Sequence, residues 1–184
     1  MKMEKSEKDT VLLRTILIFA MIVLAAVLRL APHPWNFTPV GAVALFSGAR
    51  VRDRRLAFLL PVLVMLATDL INGFNKLSPV VYASFLLSVL IGRFLIRKRN
   101  LMRIGGATFL GSLQFFVITN FGVWAFLNSY PRTGAGLAAC YLAGVPLFWN
   151  TLAGDVTYAT LLFGGFFLAE RLAPRLHPSP APNL

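Results

Sequence analysis

GARVRDRRLAFLLPVLVMLATDLING, residues 48–73, contains in one stretch the pattern that decides the fold. Arg50, Arg52, Arg54 and Arg55 crowd together, a mainly apolar run follows from Leu56 to Ile71, and the run stops at Asn72-Gly73. A basic cluster, a hydrophobic segment near the length needed to cross the hydrocarbon core, and a polar turn are the signs of a helical membrane protein.

The pattern repeats outward in both directions. Upstream, Val11 to Ala31 is apolar, with Arg14 and Arg29 near its ends, where long side chains can reach the interface. PHPWNFTP (32–39) breaks the chain at Pro32, Pro34 and Pro39, and a shorter apolar run, Val40 to Ala49, leads into the arginine cluster. Downstream, Pro79 to Ile96 runs into a second basic cluster of Arg97, Lys98, Arg99 and Arg103, and Ile104 to Leu127 is a long span. Leu137 to Glu170 would make about 50 Å of helix, too long for one crossing.

Charge fixes the threading. With the N-terminus inside, six crossings put all the Lys and Arg residues on one side except Arg29, Lys76 and Arg132; a seventh would strand Arg171 and Arg175 on the wrong side. The expected fold is therefore an all-α integral membrane protein, a six-transmembrane-helix bundle with cytoplasmic N- and C-termini. Ala135 to Val145 is expected to be a short outer lid helix, broken at Pro146 before a last span from Phe148 to Glu170. The second span is the shortest, since Trp35 to Ala49 reaches only about 22 Å as helix. Residues 1–172 form a single membrane domain, and 173–184 form a Pro-rich tail expected to be disordered. The polar start, Met1 to Thr10, is expected to fray, and the first apolar run reads as a true span and not as a cleaved signal.

Composition agrees with this reading. Of 184 residues 57% are hydrophobic and 14% charged, against roughly 25% charged in soluble domains. A formal charge of +11 raises nucleic acid as a partner, but the charges sit in short clusters between apolar runs, as in loops held against an anionic leaflet. The expected partners are membrane lipid and a small-molecule substrate, with no nucleic acid. Cys140 is the single cysteine, so no disulfide and no cysteine-based zinc cluster can form.

The chemistry-bearing residues concentrate on the side away from the basic loops. His33, Trp35, Asn36 and Thr38 fall in the first outer loop; Asn72, Asn75 and Lys76 in the second, with Tyr82 a turn into the next span. Asn128, Tyr130, Arg132, Tyr141, Trp149 and Asn150 come from the third outer region, and Asn120 and Trp124 from the outer half of the fifth span. Trp and Tyr settle at membrane interfaces without binding anything. That rule leaves the outer asparagines unexplained, and amides mixed with aromatics suit a pocket for a neutral or weakly charged small molecule. The candidate substrate-binding set is His33, Trp35, Asn36, Asn72, Asn75, Tyr82, Asn120, Trp124, Tyr130, Asn150 and Asp155.

Two carboxylates, Asp69 and Asp155, lie inside apolar spans, where charge is costly and marks function by default. Asp69 can cap the Asn72-Gly73 turn or pair with Lys76, and Asp155 can bond backbone freed at Pro146. A proton or cation relay would need both to face one cavity. No catalytic motif or paired carboxylate occurs, so no enzyme activity, cofactor or metal is expected; a cobalt contact at Cys140 is the one soft-ligand alternative. Ala135, Ala139 and Ala143, with Gly136, Cys140 and Gly144, give that segment two small adjoining faces that let helices approach.

In size, span number, cytoplasmic termini and three pocket-forming outer loops, the chain resembles the substrate-binding S components of energy-coupling factor transporters for vitamins and metals. APHPWNFTPVGAVALF, TNFGVWAF and YPRTGAGLAACYLAGVPLFWNTLAGD are also similar to a family of small, uncharacterised bacterial membrane proteins with a general transport label. The first resemblance implies capture of a micronutrient such as a vitamin in the bacterial inner membrane. It also implies partnership with an energy-coupling transmembrane subunit and its ATPases. Ala20, Ala25 and Ala26 depart from the Ala-x-x-x-Ala docking motif of many S components, which points to a solitary member, possible also among cobalamin-type relatives with a cysteine near the cobalt. The alternatives are a non-transporting membrane subunit that binds a partner protein, and a proton-coupled carrier using Asp69 and Asp155.

Overall fold

The computed structural model describes residues 2–30, 34–98 and 100–173, without the side chains of residues 2–8, Leu30 and Asn72. His33 and the tail from residue 174 lie outside the described residues. All regular structure among them is helical: α1 Lys2–Leu30, α2 Val40–Arg50, α3 Arg54–Asn72, α4 Ser78–Leu95, α5 Leu101–Phe126 and α6 Gly134–Leu172. The expected fraying of the start is not seen, because α1 runs helical from Lys2; an established apolar helix extends at little cost through residues of good propensity.

Four of the helices are long and apolar enough to cross a membrane: α1 over Asp9–Arg29, α4, α5 and α6. Their outward faces carry large exposed apolar side chains, among them Leu12, Leu24, Val27, Phe109, Leu142 and Leu161. Side chains of that kind are stable against lipid and not against water. Asp53 caps α3 by accepting from the Leu56 amide, and Asn100 caps α5 by accepting from the Arg103 amide, so both helices start cleanly after the basic turns.

The second span differs from a full crossing. α2 has 11 residues, about 16 Å of helix, roughly half a hydrocarbon core. It is the centre of the bundle instead, with every residue from Val40 to Gly48 buried. The chain reaches it by an irregular descent along α6. Trp35 O accepts from Asn150 Nδ2 (3.1 Å), Phe37 and Thr38 pack against Gly154, and the Phe37 ring lies 5.8 Å from that of Tyr158. Further down, Phe46 packs edge-on against Phe163 and Phe166, and the Arg50 guanidinium lies over Phe167. Loop and half-helix together thus track α6 from Asn150 to Phe167, about 26 Å. Non-helical backbone at this depth is tolerated where it is buried in protein or lines a wet cavity. Asn36 takes the positive φ of 62° that the bend requires, a conformation asparagine adopts more readily than most residues.

Glycine lets α2 and α4 meet backbone to backbone. A Cβ on Gly48 would overlap the Val89 carbonyl, and one on Gly92 would overlap the Leu45 carbonyl.

The lid expectation is corrected. Gly134–Leu172 is one continuous helix of 39 residues with Pro146 inside it. One of the two small faces read from the sequence holds it there: Gly136 sits on the Pro131 carbonyl, Cys140 Sγ donates to the Asn120 carbonyl (3.4 Å), and Gly144 sits on the Asn120 side chain. Packing on both flanks of Pro146 outweighs the single backbone bond that the proline removes.

The basic ends of the helices gather at one end of the bundle. Arg93 reaches the Val51 and Arg52 carbonyls, Arg14 pairs with Glu170 at 3.2 Å, and Arg50 lies over the phenylalanines of α6.

Candidate functional site

At the opposite end, the bundle encloses a cavity of about 440 Å³ above the N-terminus of α2. Exposed residues ring its outer part: Trp35 (83% exposed), Asn36 and Asn75. Buried residues form its depth, including Gly41, Ser88, Gly111 and Asp155, with Phe85 and Phe115 stacked at 5.0 Å. Arg29, Thr38, Asp69, Ser78 and Thr151 complete its polar lining.

Asp69, Arg29 and Tyr82 join three helices on one wall. Tyr82 Oη donates to Asp69 Oδ2 at 2.8 Å, Arg29 Nη2 lies 3.9 Å from Asp69 Oδ1, and Arg29 Nε donates to Thr68 Oγ1 at 2.9 Å. Asp69 therefore pairs with Arg29, not with Lys76. In a low-dielectric setting the pair is held by the extra hydrogen bonds as much as by charge. Losing one partner leaves a buried charge. Asp69→Leu alone is therefore expected to destabilise by about 1–3 kcal/mol, and Arg29→Leu with Asp69→Leu to be the milder change, measured by thermal unfolding in detergent.

Asp155 stands at the cavity floor, 4% exposed. It does not bond backbone freed at Pro146, as the sequence allowed. Its Oδ2 accepts from Ser112 Oγ at 2.7 Å, and its other oxygen lies against the first turn of α2, at the Cα of Gly41 and near the Ala42 N–H. α2 begins at Pro39 with no side-chain cap, so its first amides lack partners within the helix, and the carboxylate of α6 stands where they point. Gly41 is what permits the approach, since any Cβ there would overlap the carboxylate.

Of the residues picked out from the sequence, the cavity brings together Trp35, Asn36, Asn75 and Asp155, with Tyr82 behind Asp69 and Asn150 fixing the loop at Trp35. Three lie elsewhere. Asn120 donates to the Phe116 carbonyl between α5 and α6, Trp124 donates to the Pro131 carbonyl under Arg132, and Tyr130 is in the α5–α6 turn. Cys140 is buried against α5, away from the cavity lining, and no cluster of three His, Cys, Asp or Glu capable of holding a metal occurs among the described residues. The sequence reading missed Arg29, which looked like an interfacial residue at the end of a span. It also missed Ser78, Ser88 and Thr151, polar residues in apolar helices whose facing depends on the packing. A signal existed for Arg29: it is one of only three basic residues on that side, and the one within an apolar span, with an intramembrane aspartate to answer it.

Six helices among the described residues, four of them long and apolar enough to cross a bilayer and one a central half-helix, together with a cavity of mixed lining, fit a helical membrane protein. The chain belongs to a family of unknown function, DUF6580, whose model matches residues 9–176 and so takes in α2 to α6 and α1 from Asp9 on. No curated protein and no solved structure matches the chain.

Proposed function

We propose that this protein captures a small solute in the cavity above α2 and is a component of its transport across the bacterial inner membrane. The basic end faces the cytoplasm and the cavity opens to the other side, as the distribution of Lys and Arg favours. One observation carries the reading: a cavity of about 440 Å³, within the range of small-molecule sites, combines exposed aromatic and amide groups at its rim with buried charged and aromatic groups at its depth. A micronutrient of vitamin size fits that volume. Below the floor, Phe46 packed against Phe163 and Phe166 blocks the way inward, so release requires the bundle to rearrange around α2. α6 does not move as a separate lid in this scheme.

The reading is tested by incubating the purified protein with a metabolite extract, desalting it, and identifying retained solutes by mass spectrometry. A solute retained in roughly equimolar amount and lost in Trp35→Ala with Asn75→Ala is the expected result. Equal retention by the double variant would contradict it.

A second reading, proton-coupled transport, gains from Asp69 and Asp155 lining one cavity. It predicts that the Asp69→Asn, Asp155→Asn double variant loses any dependence of uptake on external pH, and a wild-type pH dependence in that variant would rule it out.

A further inference from the structure

The charged groups of the cavity do not balance. Among its described lining residues, one guanidinium, Arg29, accompanies two carboxylates, Asp69 and Asp155. Arg29 and Asp69 answer each other, and Tyr82 and Thr68 complete that group. Asp155 has only neutral partners: the Ser112 hydroxyl and the first turn of α2. The helix terminus supplies about half an elementary charge, which offsets only part of the field of the ionised carboxylate. A carboxylate this deeply enclosed is stabilised by a cation that enters the cavity it faces. Phe85 and Phe115 line the same space, and aromatic rings favour a desolvated cation over an anion.

Resting on the capture reading above, we infer that the captured solute is an organic cation: a protonated amine or quaternary ammonium on an apolar or aromatic body. Its charged nitrogen pairs with Asp155, and its body packs on Phe85 and Phe115. An inorganic monovalent cation would satisfy the carboxylate but leave the aromatic pair and most of the volume without a role.

The test is a thermal-shift titration of the full-length protein in detergent with benzylammonium, benzyl alcohol and benzoate, which share a ring and differ in charge, and with potassium chloride. Benzylammonium is expected to raise the melting temperature saturably and the other three are not. In Asp155→Asn its half-saturating concentration should rise on the order of tenfold to a hundredfold. If that variant does not fold, the selectivity of the unaltered protein among the probes decides. Equal stabilisation by benzoate, benzyl alcohol or potassium, or undiminished benzylammonium binding in Asp155→Asn, overturns the inference and leaves capture standing. Where no probe binds, the charge of a co-purified solute seen by native mass spectrometry decides in the same way: a cation supports the inference and a neutral molecule or anion overturns it. No probe binding and no co-purified solute overturns both readings.

Discussion

Asp155→Leu is expected to abolish solute capture and to lower stability by about 2–3 kcal/mol, whereas Asp155→Asn should weaken capture by about tenfold to a hundredfold and keep most of the stability. The difference follows from what the side chain does. Leucine removes the acceptor for the Ser112 hydroxyl and for the first amides of α2, and each buried donor left without a partner costs about 1–3 kcal/mol. Asparagine retains one oxygen that can accept, so α2 remains seated, but the negative charge at the cavity floor is gone. Thermal unfolding and solute retention, measured side by side on the two variants, separate the folding role from the binding role. Equal retention by Asp155→Asn and the unaltered protein would confine Asp155 to holding α2.

Gly92→Leu is expected to leave no folded, monodisperse protein, the largest loss from any single change considered for this chain. Even the first added carbon would overlap the backbone of α2 at Leu45, and α2 is buried on every side and has nowhere to retreat. Overpacking in a tight core costs about 1–3 kcal/mol for small insertions and more where backbone is the obstacle. Gly48→Leu should behave in the same way, for the reciprocal contact with Val89. Gly105→Ala and Gly106→Ala are the controls: an added Cβ there meets nothing within 4 Å, and alanine in a helix should be neutral or stabilising by up to about 1 kcal/mol. Size-exclusion profiles and melting temperatures in detergent read all four variants.

The membrane class was legible in the sequence because it depends on features local in the chain: apolar runs and basic clusters at their ends. The places of the helices were legible for the same reason, except that a separate lid helix was expected where α6 runs on unbroken. What α2 does was not. Val40 to Arg50 reads as a short span, and only its burial by all the other elements makes it a central half-helix with a cavity over its N-terminus. Pro146 looked like a break because local sequence rules penalise proline, while the packing of Gly136 on the α5–α6 turn and of Cys140 and Gly144 on α5 outweighs the penalty. The candidate site was partly legible. Trp35, Asn36, Asn75 and Asp155 stood out by residue type and position, and they do converge. Asn120, Trp124 and Tyr130 had the same credentials but serve the α5–α6 junction instead. Arg29 was hidden because its partner, Asp69, lies 40 residues away in sequence, and a pairing of that kind exists only once the helices are packed.

Native mass spectrometry of the purified protein and its Thr151→Trp variant tests the central claim most directly. Thr151 lines the cavity, and its hydroxyl bonds only its own helix at Leu147 O, so tryptophan fills the space with little other disturbance. The account predicts a small molecule bound to the unaltered chain and absent from Thr151→Trp, with both proteins melting at similar temperatures. A chain that carries no small molecule, or a molecule retained equally after the cavity is filled, would contradict it.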